Sequence, residues 1–123
     1  MVTGDPEMVL EALPYYAANP IYLMREQRFG AVSRFTRRAR LDLSLDDVLN
    51  DARTLRARTG RPVAIVLRAR LDPSSPPFHI PEALIWTLSG TRDQIGRFLG
   101  ATRRLARFAP AVSDESYDVY VLR

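Results

Sequence analysis

The chain has 123 residues, of which 46% are apolar and 26% charged, with a net charge of +4 at pH 7. That size and balance suit one core-forming domain. Cysteine is absent, which excludes disulfides, thiolate metal sites, iron–sulfur clusters and cysteine nucleophiles, and no stretch approaches the run of about 20 apolar residues that a membrane-spanning helix needs.

Met1 to Asp5 lacks the basic-then-apolar layout of a signal peptide. All 18 basic residues are arginine. Arginine forks grip phosphate, but the replacement of lysine is chain-wide and so reads as a GC-rich coding bias.

Asp5-Pro6-Glu7 reads as a helix start, with a cap, a first-turn proline and an acid at the positive end of the dipole. Val9, Ala12, Leu13 and Tyr16 follow at helical spacing, Pro14 shortens or kinks this helix, and Asn19-Pro20 ends it. Ile21 to Met24 begins a strand, and Ala31 to Thr36 is expected as its hairpin partner. Arg37 to Leu43 is an arginine-rich connection.

Ser44 opens the clearest helix. Ser44 and Asp47 approximate a capping box, and Leu45, Val48, Leu49, Ala52 and Leu55 form one apolar stripe. Gly60 supplies a left-handed stop. Val63 to Leu67 is continuous, β-branched and uncharged, which predicts a central strand buried on both faces.

Asp72 to Pro77 is a loop, and Ala83 to Leu88 reads as a strand, with a short helix from Pro81-Glu82 as the alternative. Thr91 and Gln94 make a second capping box. The helix behind them is expected to bury Ile95, Phe98, Leu99, Thr102, Leu105 and Ala106 and to close at Pro110. Tyr117 to Leu122 alternates as a last strand. The fold class that results is α/β: a single soluble domain over residues 1–123, with a mixed sheet of four to five strands and about three helices in the order α-β-β-α-β-β-α-β.

No phosphate-binding glycine loop is present. Gly96 and Gly100 read as tolerated glycines on an exposed helix face. His79, the one histidine, has no second ligand at a usable spacing, and nothing around Ser74 and Ser75 resembles a nucleophile elbow. Asp46 with Asp47 and Asp114 with Glu115 face no apolar pocket that would shift a pKa. The expectation is therefore no catalytic residue, no cofactor and no metal.

What remains is charge. Arg25, Arg28, Arg34, Arg37 and Arg38 crowd one segment opposed by Glu26 and are expected to share a solvent-facing region, because burying unpaired guanidinium groups is costly; a solvated face and a contact with an anionic surface are the two readings of it. Arg97, Arg103, Arg104 and Arg107 cover the outward part of the last helix. Such clusters suit anionic lipid headgroups or nucleic-acid phosphates.

Asn19-Pro20-Ile21-Tyr22-Leu23-Met24-Arg25 is similar to the proline-led strand that opens the soluble C-terminal domain of GT-C type membrane glycosyltransferases, which move a sugar from a polyprenyl-phosphate carrier. Leu43 to Leu49, Val63 to Leu67 and the closing Tyr117-Asp118-Val119-Tyr120-Val121-Leu122-Arg123 resemble the later elements of that domain. The resemblance spans Asn19 to Arg123 and rests on pattern.

It implies a detached, non-catalytic, extracytoplasmic accessory domain that packs on the membrane part of a glycosyltransferase-like protein near the lipid-linked substrate. The helix before Asn19 would then descend from the last membrane span. The membrane helices and the loop acids of the family's chemistry are not in this chain, so no catalytic residue carries over. The alternative is a free-standing cytoplasmic basic module, with nucleic acid as one candidate ligand.

Overall fold

The computed structural model describes residues 1–82, 85–109 and 116–123. Its elements are β1 (Val2–Asp5), β2 (Ile21–Leu23), β3 (Arg28–Phe29), β4 (Asp42–Ser44), α1 (Leu45–Thr59), β5 (Ala64–Leu67), β6 (Phe78–Pro81), β7 (Thr87–Gly90), α2 (Arg92–Ala101), β8 (Thr102–Phe108) and β9 (Tyr117–Leu122). Two short 3-10 turns, Glu7–Leu10 and Leu13–Tyr15, follow β1. The class is α/β, with a six-stranded mixed sheet in the order β3-β2-β1-β5-β9-β8 and a three-stranded sheet in the order β4-β7-β6. The strand count exceeds the four to five expected.

The helix boundaries follow the local chemistry. Ser44 Oγ accepts from the backbone N–H of Asp47 at 3.2 Å, and the Asp47 carboxylate accepts from the Ser44 N–H at 2.8 Å. Thr91 and Gln94 repeat the reciprocal pair at the start of α2. Each box satisfies backbone donors that a helix start leaves orphaned. Gly60 ends α1 at φ 65°, the left-handed conformation that costs glycine no Cβ clash. Gly96 and Gly100 are exposed, with open space around them.

Several expectations need correction. The helix expected from Asp5 is instead strand β1 followed by the 3-10 turns, and β1 lies at the centre of the sheet, parallel to both β2 and β5. The segment before Asn19 is therefore part of this fold's own sheet and cover, not an α-helical remnant. Gly4 is fixed by that position, because a Cβ there would lie 2.3 Å from the Val66 carbonyl oxygen.

The partner of β2 is the two-residue β3 and not Ala31 to Thr36. Gln27 at φ 53° turns the chain ahead of it. The strand expected from Ala83 begins at Thr87, and Ala83 and Leu84 lie outside the described residues.

The largest correction concerns the last helix. The helix opened by Thr91 stops at Ala101, and Thr102 to Phe108 is an edge strand paired with β9. Thr102 Oγ1 donates to the Phe98 carbonyl oxygen at 2.7 Å and closes the helix. A register shift between Arg104 and Ala106 marks a β-bulge. One extra residue lets Arg104 and Arg107, three apart, reach the same acid, Asp118, at 3.7 and 2.7 Å. A spacing of three suggests a helix face, and here the bulge produces it on a strand. Pro110, expected to close the helix, lies outside the described residues.

The main core lies between one face of the six-stranded sheet and a layer made of α1, α2 and the small sheet. Ile65, Leu67 and Tyr120 project from the large sheet to meet Val48, Ala52, Phe98 and Leu88. Phe98 meets Tyr120 edge-on, with ring centroids 5.1 Å apart. The other face carries a smaller core of Val2, Leu10, Ile21 and Leu23, covered by the 3-10 turns through Val9 and Leu13. Strand β5 is central, as expected, but it is fully buried on one face only. Ile65 and Leu67 are sealed, whereas Ala64 and Val66 are half-buried.

This asymmetry has a measurable consequence. Ile65→Asp should cost on the order of 4–5 kcal/mol in urea unfolding, because the charge enters a sealed core. Val66→Asp should cost less than half of that. Equal losses would overturn the assignment of the two faces.

Candidate functional site

Strands β1, β2 and β5 are parallel. Their carboxyl ends therefore open on one side of the sheet, the region where α/β folds place their ligands. Here these ends bring together Asp5 from β1, Glu7 from the first 3-10 turn, Arg25 just past β2 and Arg68 just past β5. The link from β6 to β7 adds Glu82 and Trp86.

Arg25 is fully buried. Its Nε and Nη2 donate to the two oxygens of Asp5 at 2.6 and 2.9 Å. Nη2 also donates to the Thr87 carbonyl oxygen at 2.8 Å, and Nη1 donates to the carbonyl oxygens of Arg40 and Leu41 at 3.0 and 2.5 Å. A guanidinium has five N–H donors, and each has a partner here. The Arg25 backbone N–H donates to Glu7, and the guanidinium carbon lies 4.8 Å from the centre of the Trp86 ring. Phe35 stacks on Trp86 at 4.7 Å between centroids.

Arg25 thus corrects the expectation that it faces solvent and meets an anionic surface. That expectation rested on the cost of burying an unpaired guanidinium. Its partner, Asp5, is 20 residues away in sequence and was read as a helix cap.

The remaining arginines of the segment divide. Arg28 is partly buried and pairs with Glu26 at 2.5 Å. Arg34, Arg37 and Arg38 are exposed. Arg97 pairs with Asp46 at 2.7 Å across α1 and α2. Arg103, Arg104 and Arg107 lie on β8, not on the last helix. His79 is exposed on β6. Among the described residues, no group of three or more His, Cys, Asp or Glu could hold a metal ion, and the Asp114–Glu115 pair lies outside those residues.

Two acids near Arg25 are held against ionisation. Glu7 is raised to about 7, chiefly by burial, with the Arg25 N–H opposing the shift and Glu26 and Asp5 adding to it. Glu82 is also raised to about 7, by burial first and then by the charge of Asp5, against weaker help from Arg68 and Arg25. The Glu82 side chain is 0% exposed, its closest cation is Arg68 at 3.9 Å, and neither carboxylate oxygen has a hydrogen-bond partner among the described residues. It lines a pocket of about 420 Å³ with Arg68, Pro6, Met8 and Tyr117. The Glu82 carboxylate is sealed behind that wall, and the charged group that the pocket exposes is the Arg68 guanidinium.

Val9, Ala12 and Tyr117 also belong to a second, larger feature. The 3-10 turns cover only the β2–β1 side of the second sheet face. Beyond them Val2, Val66, Val119, Leu13 and Phe108 line an open apolar groove of about 430 Å³. Tyr16, 87% exposed, and Phe108, 57% exposed, stand at its margin. Sequence reasoning missed this groove because it gave β5 two covered faces. The available signal was the unbroken apolar run of β5, which needs cover on both faces, whereas α1 and α2 pack on the same one.

No family model matches the chain, and comparison with curated proteins and with solved structures yields no significant match.

Two measurements test this cluster. Arg25→Met should lose about 3–5 kcal/mol, since it strands the Asp5 carboxylate in the interior. Arg25→Lys should recover only part of that, having three donors in place of a five-donor fork. Wild-type stability in Arg25→Met would remove the cluster from the fold's support.

The second measurement is a pH series. Glu7 and Glu82 ionise near pH 7 when folded and near their ordinary 4.5 when unfolded. Between those values the native state holds more protons, so stability falls as pH rises from 4.5 to 7, by on the order of 3 kcal/mol per group. Urea midpoints across this window should decline in the wild type and decline less in Glu82→Gln. A flat wild-type profile would contradict the two raised values.

Proposed function

We propose that this chain is a non-catalytic accessory domain that packs, through its open sheet face, on the membrane part of a glycosyltransferase-like protein on the extracytoplasmic side, near the lipid-linked substrate. The observation that carries the reading is the half-covered second face of the six-stranded sheet. Ala64, Val66 and Val119 are apolar residues on strands built for burial on both faces, and this chain covers them only partly.

Contiguous apolar surface of this kind marks an interaction site rather than a solvated face. The sequence pattern from Asn19 to Arg123 that resembles the GT-C soluble domain suggests the parent, and the helical surface of a membrane part is an apolar partner. No helix among the described residues is itself long and apolar enough to cross a membrane. The exposed Arg34, Arg37 and Arg38 suit anionic headgroups at such a surface, at about 1 kcal/mol each near the membrane.

The test uses zwitterionic dodecylphosphocholine micelles, which offer apolar surface without net charge, and follows backbone amide shifts. The expected shifts centre on Val2, Ala64, Val66 and Val119, and they persist in high salt. Shifts confined to the arginine segment, seen only with an oligonucleotide and lost with salt, would replace this reading with a basic nucleic-acid module.

A further inference from the structure

We infer that the pocket between the carboxyl ends of β1 and β5 is a binding site for a small monocarboxylate with an apolar chain, its acid group held by the Arg68 guanidinium. This goes beyond the docking reading above and does not depend on it. Three observations converge on it.

The first is position. Strands β1 and β5 are parallel neighbours in the large sheet. The chain leaves β1 toward β2 on one side and leaves β5 toward β9 and β8 on the other. Adjacent parallel strands whose connections diverge leave a crevice outside their carboxyl ends, and α/β folds bind ligands there. The pocket of about 420 Å³ lies at that point. Pro6, Met8, Val9 and Ala12 line it from the connection after β1, Arg68 from the end of β5 and Tyr117 from the start of β9. The Arg68 backbone N–H donates to the Asp5 carbonyl oxygen at 3.3 Å, which ties the two strand ends together beneath the guanidinium.

The second is an unused fork. The Arg68 side chain is 37% exposed and donates no hydrogen bond among the described residues. Its nearest acid oxygen, on the sealed Glu82, is 3.9 Å away, beyond hydrogen-bond range. Asp5 is already held through both oxygens by Arg25, and burial raises Glu7 and Glu82 to about 7. Below that pH Arg68 is the cation in excess at these strand ends. Its planar donors match the two oxygens of a carboxylate. A phosphate dianion would bring a second charge, for which the lining offers no second cation among the described residues.

The third is the rest of the wall. Pro6, Met8, Val9 and Ala12 are uncharged and carry no side-chain donor. Val9, Ala12 and Tyr117 also border the apolar groove on the sheet face. A ligand whose acid end meets Arg68 therefore lays its chain on apolar surface, and each methylene it covers strengthens binding. A purely apolar ligand leaves the fork unpaired, and a cationic one is repelled by it.

The experiment titrates the protein with sodium hexanoate, 1-hexanol and sodium acetate at about pH 6, where a free carboxylic acid is ionised. Amide shifts of Val9, Ala12 and Arg68 are followed. Hexanoate should bind at least about fivefold more tightly than hexanol, which lacks the charge, and than acetate, which lacks the chain. Arg68→Gln should reduce hexanoate to the affinity of hexanol. Arg68→Lys, which keeps the charge and loses the fork, should retain part of the difference. Melting curves check that both variants are folded.

Equal binding of hexanoate and hexanol to the wild type would overturn the acid site. Equal binding of hexanoate and acetate would overturn the apolar part of it. A preference for hexanoate that persists in Arg68→Gln, or shifts confined to Arg34, Arg37 and Arg38, would place the anion elsewhere and overturn the assignment. None of these outcomes alters what the micelle experiment reads on Val66 and Val119.

Discussion

One buried guanidinium holds the two sheets in register with each other. Arg25 leaves the end of β2 in the large sheet and reaches the carbonyl oxygens of Arg40 and Leu41, next to β4, and of Thr87, at the start of β7. Its remaining donors close on Asp5 at the end of β1. The planar fork permits one arrangement of these groups, because each N–H points in a fixed direction. A pair of apolar residues could contribute as much net stability, since burying charges costs nearly what their attraction returns. It would not specify which carbonyls face which strand ends. In this protein the ion pair fixes geometry, and the apolar core supplies most of the stabilising free energy.

The arrangement also determines what lies open. The carboxyl ends of the three parallel strands, where an α/β fold usually keeps a ligand crevice, are filled on one side by Arg25, Trp86 and Phe35. On the other side Glu82 is left in a pocket with Arg68. The same region is rich in acid relative to base, although the whole chain is basic. Burial holds Glu7 and Glu82 against ionisation there, so the charge of this region depends on pH in a way that the net charge of the chain does not show.

Strand β8 shows how the exposed edge of the large sheet is managed. Arg103, Arg104 and Arg107 line it, and a bulge interrupts its register. Charges and bulges both discourage another strand from adding to an edge. The edge is thus guarded while the face beside it is apolar and uncovered. That combination favours docking by packing on the face over docking by strand addition.

The elements legible in the sequence were those with a local cause. Both capping boxes, the glycine stop at Gly60, the stripe of α1 and the strand Tyr117 to Leu122 follow from contacts within a few residues, and the structure has them where the pattern placed them. The resemblance, like the parent protein it implies, rested on pattern alone. Strand β1 was illegible because four residues show no periodicity, and what makes Val2 to Asp5 a strand is its place between β2 and β5. Strand β8 was read as helix because its arginines, leucine and alanine favour helix locally. Pairing with β9 and the two contacts to Asp118 outweigh that preference. The site divided in the same way. Sequence alone established that no cysteine, glycine loop or histidine cluster would supply chemistry, because those exclusions depend only on which residues are present. Tertiary structure decided that Arg25 is buried while Arg34, Arg37 and Arg38 are not, and that the Glu82 side chain is enclosed with no hydrogen-bond partner among the described residues. The burial of a charge depends on partners brought from tens of residues away, and no local pattern encodes their arrival.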